Sequence, residues 1–458
     1  MFTSIILGAG KSTRMKANKS KLLFNIAGKP VINHIISSLK TAKAKSNLCV
    51  INNNSPELKK LLDEEKVDYT YQSVLDGTAG AVKSALKKKH PFSSKILILC
   101  GDVPFITSAS IKKLITKLKT ADAVVGTIEL DSPKGYGRIV RINNRFDCIV
   151  EDKETTAEQR LIREVNTGII AIHEKILRKY IGQIKNNNQK KEYYLTDIIK
   201  ILTANNKKVS TFKFKNELEV KGVNSKVDLV NLERQYLREK AEELLESGTL
   251  IRDPSKTDIR GQLRVSSNVE IDINCVFEDS VSIGENSTIG HNCYLNRCKI
   301  GRNVFIKPNT IIFGATIGDN STVGPFARIR PGTTIKSYCN IGNFVEIKNS
   351  LIKENTKINH LSYVGDATIG KNVNIGAGAI TCNYDGVNKH KTIVKDNSFI
   401  GSGSMLVAPV IIGKGSFIAA GSTITKDTSG SGHLTIARSK QMTIRNWKNR
   451  TTQKVKRK

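Results

Sequence analysis

A chain of 458 residues, 39% hydrophobic and 25% charged, is long enough for about two to four domains and too apolar to be wholly disordered. Its 73 Lys and Arg against 41 Asp and Glu give a net charge of +32, and the last nineteen residues, Lys440–Lys458, carry eight of the basic groups and no acid. Subtracting those eight leaves +24 elsewhere, much of it on dispersed lysines such as Lys40, Lys43, Lys45, Lys59 and Lys60. Solvated surface is the simplest reading of that excess, a field for small polyanions the next, and nucleic acid the weakest, because aromatics do not interleave the basic runs.

In chain order, Phe2–Leu7 reads as a strand, Val31–Lys40 as a helix, Leu48–Asn52 as a strand and Pro56–Glu65 as a helix. Ala79–Lys88 is then a helix, Lys95–Cys100 a strand and Ser108–Lys119 a helix. Such alternation predicts right-handed crossovers and a mainly parallel sheet. Residues 229–247 are strong helix formers without Gly or Pro and read as one connecting helix closed by Gly248.

Beyond it the period changes to six. Aliphatic residues fall at Ile283, Ile289, Leu295, Ile300, Ile306 and Ile312, and the series runs with single-residue slips to Ile375, then from Ile400 to Ile424. Glycine often follows the aliphatic, as at Gly284, Gly290, Gly301 and Gly318. Neither a helix nor a flat strand has this step. A triangular coil does, with one inward aliphatic per side, so residues 265–430 predict a parallel β-helix of about nine coils. The interruption holds Thr381-Cys382-Asn383-Tyr384-Asp385-Gly386, a loop with an Asp-Gly turn.

No apolar run approaches the ~18 residues of a bilayer span, and the first eight residues lack a basic n-region. Cys49, Cys100, Cys148, Cys275, Cys293, Cys298, Cys339 and Cys382 form no Cys-x-x-Cys pair. These features predict a soluble cytoplasmic protein with reduced thiols.

The first strand delivers Leu7-Gly8-Ala9-Gly10-Lys11-Ser12-Thr13-Arg14. Glycines at this point let backbone N–H groups approach phosphate, although such a loop serves equally as a structural turn. A Walker reading fails because its first glycine would be Ile5, and a dinucleotide motif lacks its third glycine at Thr13. Arg14 and Lys21 add charge suited to a triphosphate. Asp102 follows the strand Lys95–Cys100, where parallel sheets bind ligands and where a carboxylate could hold Mg²⁺ or merely cap a loop. Gly135-Tyr136-Gly137-Arg138, Val150-Glu151, Asn166-Thr167-Gly168 and Gly222-Val223-Asn224 come later.

With these motifs in this order, ahead of hexapeptide repeats, the chain resembles end to end the bifunctional N-acetylglucosamine-1-phosphate uridyltransferase / glucosamine-1-phosphate acetyltransferases. The resemblance implies an α/β fold: a Rossmann-like nucleotidyltransferase domain (1–228), a linker helix (229–248) and a left-handed parallel β-helix acetyltransferase domain with a basic tail (249–458). It implies acetyl transfer from acetyl-CoA to glucosamine-1-phosphate, then uridylyl transfer from UTP to N-acetylglucosamine-1-phosphate, giving UDP-N-acetylglucosamine for peptidoglycan and lipopolysaccharide. It further implies that Leu7, Gly8, Ala9 and Gly10 hold the uracil–ribose side, Arg14 and Lys21 the phosphates, and Gln72, Gly77 and Thr78 the uracil. Gly137, Glu151 and Asn166 would hold the N-acetylglucosamine moiety, with Asn224 also at the nucleotide and Asp102 and Asn224 binding Mg²⁺. Three departures are visible: Ser12 replaces a glycine, Lys19-Ser20-Lys21 replaces Leu-Pro-Lys, and Gly77-Thr78-Ala79-Gly80 ends without the family's histidine.

The β-helix needs its own argument, since such coils can be purely structural. His360 lies two residues after inward Ile358, with Arg330, Lys348 and Asn374 nearby in sequence. Residues ~18 apart sit side by side on successive coils ~4.8 Å apart, so Arg330 and Lys348 should be neighbours, and His360 and Asn374, 14 apart, nearly so. Histidine, titrating near ~6.5, is the side chain suited to take the proton from an attacking amine. No cysteine lies beside it, which favours direct attack over an acyl-enzyme. By the resemblance His360 is the base, and Arg330, Lys348, Tyr363 and Asn374 bind glucosamine-1-phosphate. Ala377, Ser402, Ala420 and Arg438 would serve acetyl-CoA, assisted by Asn383 and Tyr384, in a homotrimer whose neighbouring chains complete each pocket. Two other classes of reading stand beside this one. A nucleotidyltransferase with a structural β-helix would show no CoA-dependent activity, and a binder of anionic polymers would show steeply salt-dependent DNA binding without turnover.

Overall fold

The protein, seen in a computed structural model, is described for residues 1–142, 145–188 and 191–447, and it divides into two compact units, Met1–Glu239 and Lys240–Lys458. Residues 448–458 of the basic tail lie outside the described residues.

In the first unit, β1 (Thr3–Leu7), β2 (Ser46–Ile51), β3 (Asp68–Tyr71) and β4 (Lys95–Cys100) alternate with α1 (Val31–Thr41), α2 (Pro56–Glu64) and α3 (Thr78–Lys87). After α4 (Ser108–Lys117) come β5 (Ala123–Glu129), the hairpin β6 (Arg138–Ile142) and β7 (Arg145–Val150), β8 (Glu164–His173), α5 (Asp197–Ala204) and β9 (Val209–Lys213). The main sheet order is β9-β5-β8-β4-β1-β2-β3. β1 pairs parallel with β2 and β4, whereas β8 is antiparallel to both β4 and β5. The parallel strands are apolar on both faces because helices cover both. Ile6, Cys49, Ile51, Leu97 and Leu99 pack with Leu39, Leu58 and Leu114 on one side. Ile5, Leu48, Val50, Ile96 and Ile98 pack with Val82, Leu177 and Leu202 on the other. Alternation within an apolar run thus feeds two cores.

The long helix α6 spans Lys226–Glu246, three residues earlier than its apolar pattern predicts. A capping box sets the start: Ser225 Oγ accepts from Asp228 N (3.1 Å) and Asp228 Oδ2 accepts from Ser225 N (2.9 Å). Among the described residues no helix is long and apolar enough to cross a membrane, and all eight cysteines are free.

The second unit is a parallel β-helix. Its pairings resolve the six-residue period into three inward ladders. Ile283, Ile300, Ile317, Ile335, Ile352, Ile369, Val394 and Ile412 stack on one side. Ile289, Ile306, Val323, Ile341, Ile358, Ile375, Ile400 and Ile418 stack on the second. Leu295, Ile312, Ile329, Ile347 and Val364 begin the third, which ends at Leu406 and Ile424. All are at most 5% exposed. The series breaks on the third side because Thr381 takes the inward place. It is 3% exposed, and its hydroxyl accepts from Gly365 N (2.8 Å) and donates to Gly365 O (3.1 Å), so the buried polar group is satisfied. At the corners the chain turns through left-handed residues, many of them Asn, whose amides stack: Asn268 Nδ2 donates to Asn286 Oδ1 (2.8 Å) and Asn286 Nδ2 to Asn303 Oδ1 (3.1 Å).

Candidate active sites

In the first unit the C-terminal edge of the sheet opens into a cavity of about 590 Å³. Leu7, Ala9, Gly10, Gln72, Gly77, Thr78, Glu151 and Asn166 line it, so eight sequence-predicted residues from five segments meet there. The glycines do different work. Gly10 has nothing within 4 Å of a would-be Cβ and leaves the loop open to a ligand. Gly8 does not line the cavity. Its absent Cβ makes room for Leu22 at 2.8 Å, so its task is close packing. Gly137 lies outside the lining too, and its carbonyl accepts the Asn166 N–H (2.8 Å). Asn166 is offered by a register shift in β8 between Asn166 and Ile170.

Sequence reasoning misses the segment Glu192, Tyr194, Leu195 and Thr196, which also lines the cavity. Thr196 Oγ1 donates to Glu151 Oε1 (3.0 Å), and Leu195 N donates to Thr78 Oγ1 (2.9 Å). The acid–aromatic run Glu192-Tyr193-Tyr194 is the signal that could have found it. Lys11 lines the cavity as well. Burial, with the Asp102 carboxylate next, pushes the Cys100 thiol up to about 12, which leaves it unreactive.

Asp102, Asn224, Arg14 and Lys21 form a separate cluster. The Lys21 ammonium bonds Asp102 Oδ2 and Asn224 Oδ1 (2.9 Å), and Arg14 Nη2 donates to Asn224 Oδ1 (2.9 Å). Asn224 is held by the capping box of α6, its N–H donating to Asp228 Oδ2 (3.1 Å), and Val223 N donates to Asp102 O (2.9 Å). Two oxygens from distant segments thus converge on one cation, Lys21, and both are hard donors of the kind magnesium takes. No group of three or more His, Cys, Asp or Glu able to hold a metal occurs among the described residues.

On the β-helix, Asn343 pairs with His360, and Lys357 with Asn374, across successive coils. His360 is therefore followed on the next coil by Ala377, 17 residues on, and not by Asn374, as its 14-residue separation had suggested. The coil is 17 residues there, which puts Asn374 beside Lys357. Gly378 N donates to His360 O (3.3 Å), Gly403 N to Ala377 O (2.7 Å) and Gly421 N to Ser402 O (2.8 Å). One corner column accordingly runs Asn343, His360, Ala377, Ser402, Ala420. The residues that follow each of these, Phe344, Leu361, Gly378, Gly403 and Gly421, are all left-handed, with φ from 50° to 72°. Three stacked glycines after the histidine leave a groove without side chains, open at Gly421, and Arg438 closes on it, Nη1 donating to Ala420 O (2.9 Å).

His360 Nδ1 lies 2.9 Å from Asn343 Oδ1. Because Oδ1 can only accept, Nδ1 carries the proton, so in the neutral ring Nε2 is the nitrogen with the lone pair, the one able to act as a base. Arg330 sits beside Lys348 in register and donates to Glu346 Oε1 (2.7 Å). The Lys389 ammonium beside Lys348 lowers the Lys348 pKa, and Arg330 adds to this while Asp366 opposes it. Three cations thus face two carboxylates, Glu346 and Asp366, and the positive excess suits an anion. Tyr363 folds its ring over Gly365, where a Cβ would meet the hydroxyl oxygen at 2.4 Å. The inserted loop is a small hairpin: Tyr384 bridges Lys389, Asp385 Oδ1 accepts from Val387 N (2.8 Å) and Asn388 N (2.6 Å), and Asn383 Nδ2 is tied to Asp366 Oδ2. Lys389 and Asp366 are residues that sequence reasoning misses, since loop lysines are common and nothing local marks this one.

An α/β nucleoside-triphosphate-transferase unit followed by a hexapeptide-repeat unit defines the class, and family comparison agrees. Residues 4–144 match the MobA-like NTP transferase domain, 391–426 the bacterial transferase hexapeptide (six repeats), and 259–333 and 316–385 the GMPPB C-terminal domain. The chain is 42% identical over 444 residues to the bifunctional protein GlmU of Marinobacter nauticus, covering 97% of both chains. It is 43% identical over 448 residues to that of Ruthia magnifica subsp. Calyptogena magnifica, covering 98% of both. The chain belongs to the bifunctional GlmU family.

Proposed function

We propose that this chain makes UDP-N-acetylglucosamine in two steps, acetylating glucosamine-1-phosphate in the β-helix unit and transferring a uridylyl group to the product in the α/β unit. The observation that carries the two-step reading is the corner column, which puts a proton-accepting histidine at the head of a side-chain-free groove. A structural coil has no need of that pairing.

In the β-helix unit, Arg330, Lys348 and Lys389 bind the sugar phosphate, with Tyr363 and Asn374 on the sugar. Acetyl-CoA lies along Ala377, Ser402 and Ala420, reaching Arg438, with Asn383 and Tyr384 from the inserted loop closing over it. The amine attacks the thioester carbonyl, its proton passes to His360 Nε2, the C–S bond breaks and CoA leaves as the thiolate. Asn343 Oδ1 accepts from Nδ1–H both before the transfer and in the imidazolium that results.

In the α/β unit, Leu7, Ala9 and Gly10 support the nucleoside, Gln72, Gly77 and Thr78 the uracil, and Glu151 and Asn166 the N-acetylglucosamine. Gly8 and Gly137 act by packing and by anchoring Asn166. A sugar-phosphate oxygen attacks the α-phosphorus of UTP in line, and the α–β bridging bond breaks to release diphosphate. Arg14 and Lys21 offset the charge on the phosphates, so Lys21 must leave the Asp102–Asn224 pair when substrate enters. Asp102 and Asn224 would hold Mg²⁺, which when bound supplies charge neutralisation at the phosphates.

A homotrimer fits this reading. Phe326, Phe344 and Leu361 are 49%, 56% and 63% exposed on the histidine's own corner, an apolar ridge for a second copy to cover. Light scattering of an active monomer would defeat the trimer. A cytoplasmic location fits these substrates, and the division of labour follows domains at 1–228 and 249–458 joined by a helix.

The experiment is a coupled assay with UTP, acetyl-CoA and glucosamine-1-phosphate on the wild type and on Asp102→Ala. UDP-N-acetylglucosamine should form with the wild type, and the variant should lose uridylyl transfer while keeping acetyl transfer. Absence of any CoA-dependent step would reduce the β-helix to a scaffold.

A further inference from the structure

The nucleotide cavity of this chain carries a feature outside the family's motif. Gln72 is 5% exposed, and its amide nitrogen donates to Asp76 Oδ1 (3.0 Å) and to Gly77 O (3.0 Å). An –NH₂ group has two protons, and both are used. A carboxylate and a carbonyl can only accept, so turning the amide over would set Oε1 against two acceptors. The orientation is fixed, and Oε1 is the one side-chain polar atom of Gln72 left for a ligand. No protein donor reaches it among the described residues.

Asp76 can reach this place because residue 80 is glycine. A Cβ on Gly80 would lie 1.7 Å from Asp76 Oδ1 and 2.9 Å from Oδ2. The family's histidine at this point would occupy the carboxylate's own space, so Asp76 and Gly80 work as a pair. Backbone contacts hold the pair steady: Tyr193 N donates to Asp76 O (2.7 Å) and Ala79 N to Tyr193 O (2.9 Å).

We propose that Asp76, admitted by Gly80, is a specificity residue that locks the Gln72 amide so that the cavity presents an acceptor and selects a pyrimidine with a ring N–H. Uracil offers N3–H to Gln72 Oε1. Cytosine offers a bare N3 lone pair at the same point, and the buried oxygen would be left facing it. The inference rests on the reading that Gln72 meets the base, and it adds the group that decides which base is accepted.

The test compares kcat/KM for UTP and CTP, and the affinity of each by calorimetry, in the full-length wild type, Asp76→Asn, Gly80→Ala and the double variant. Asp76→Asn can offer the amide a donor in place of the carboxylate, which leaves the Gly77 carbonyl as the single acceptor that resists its turning. The UTP-to-CTP ratio should fall by about tenfold or more, the worth of a hydrogen bond to a charged group. Gly80→Ala pushes the carboxylate aside without removing it. It should lower the ratio in the same sense, yet add nothing in the Asp76→Asn background. Acetyl transfer in the same preparations reports intact folding. An unchanged ratio in both single variants, or an equal loss for both nucleotides, would overturn the inference. A wild type that fails to bind UTP would instead overturn the base-site reading beneath it.

Discussion

Asn343 offers the sharpest test of how the acetyl-transfer base is prepared, because it touches only the far side of the imidazole. Its Oδ1 is 2.9 Å from His360 Nδ1, and the two residues are in register on adjacent coils. Asn343→Ala removes one neutral hydrogen bond, worth ~0.5–1.5 kcal/mol, or about two- to twelvefold in rate. His360 is exposed, so water can replace the lost partner, and the effect belongs at the lower end, about two- to fivefold in acetyl-transfer kcat. His360→Ala should cost far more, ~10²–10⁴-fold, the range for a lost general base. Asn343→Asp supplies the discriminating readout. A carboxylate facing Nδ1–H favours the imidazolium and raises its pKa, so the neutral base is lost at a higher pH on acidification. The acid limb of the acetyl-transfer pH profile should move upward in Asn343→Asp, while uridylyl transfer keeps its own profile. If that limb stays put, or if Asn343→Ala is as damaging as His360→Ala, the tautomer argument is wrong.

Three further outcomes follow from the geometry. Gly403→Val places a branched side chain in the groove at a residue with φ +68°; the acetyl-CoA KM should rise by about tenfold in steady-state assays, with uridylyl transfer unchanged. Asp228→Ala breaks the cap of α6 and frees Asn224. It should destabilise the α/β unit by ~1 kcal/mol in denaturant titrations and raise the Mg²⁺ concentration needed for half-maximal uridylyl transfer. Lys348 has a lowered pKa chiefly because of Lys389, so its charge is present at low pH and lost earlier than an ordinary lysine's as pH rises. The kcat/KM for glucosamine-1-phosphate should therefore fall early on the alkaline side, and Lys389→Met should weaken binding overall while moving that fall to higher pH.

The β-helix was legible in the sequence because its period is local: the inward ladders from Ile283 to Ile424 follow from counting sixes. Coil length was less legible. Turns are of 17 or 18 residues in no fixed order, and the one that holds the inserted loop has 25, which was enough to misplace Asn374 relative to His360 and to hide Ala377 as the histidine's neighbour. In the α/β unit the motif residues could be named, but not which of them touch the cavity. Gly8 and Gly10 are two positions apart in sequence and face opposite demands, one a leucine methyl and the other open space. The segment around Glu192 and Thr196 carries no glycine or proline signature, so only the fold brings it to Glu151. The early start of α6 was readable as Ser-x-x-Asp, with Asp228 playing the part that a capping box usually gives to Glu.

One corner of the coil shows how a single backbone turn is put to three uses. Asn274, Asn292 and Asn309 occupy it first, and their stacked amides (3.1 and 3.2 Å) suit the left-handed conformation well. Phe326, Phe344 and Leu361 follow in the same conformation, which for bulky side chains is a cost of order 1 kcal/mol each. The two phenyl rings stack at 5.4 Å and 16°, yet all three side chains remain about half exposed or more. Half-burial offsets about as much as the turn costs, and coverage by a second copy of the chain would add to it. Gly378, Gly403 and Gly421 come last, where the same turn carries no side chain and no strain. The change from amide ladder to apolar ridge to bare groove occurs within one column, with His360 at the step between ridge and groove. A cofactor in the groove would thus meet the base at the edge of the apolar ridge; if the proposed trimer covers that ridge, assembly and acetyl transfer should be lost together when Phe344 or Leu361 is replaced by a charged residue.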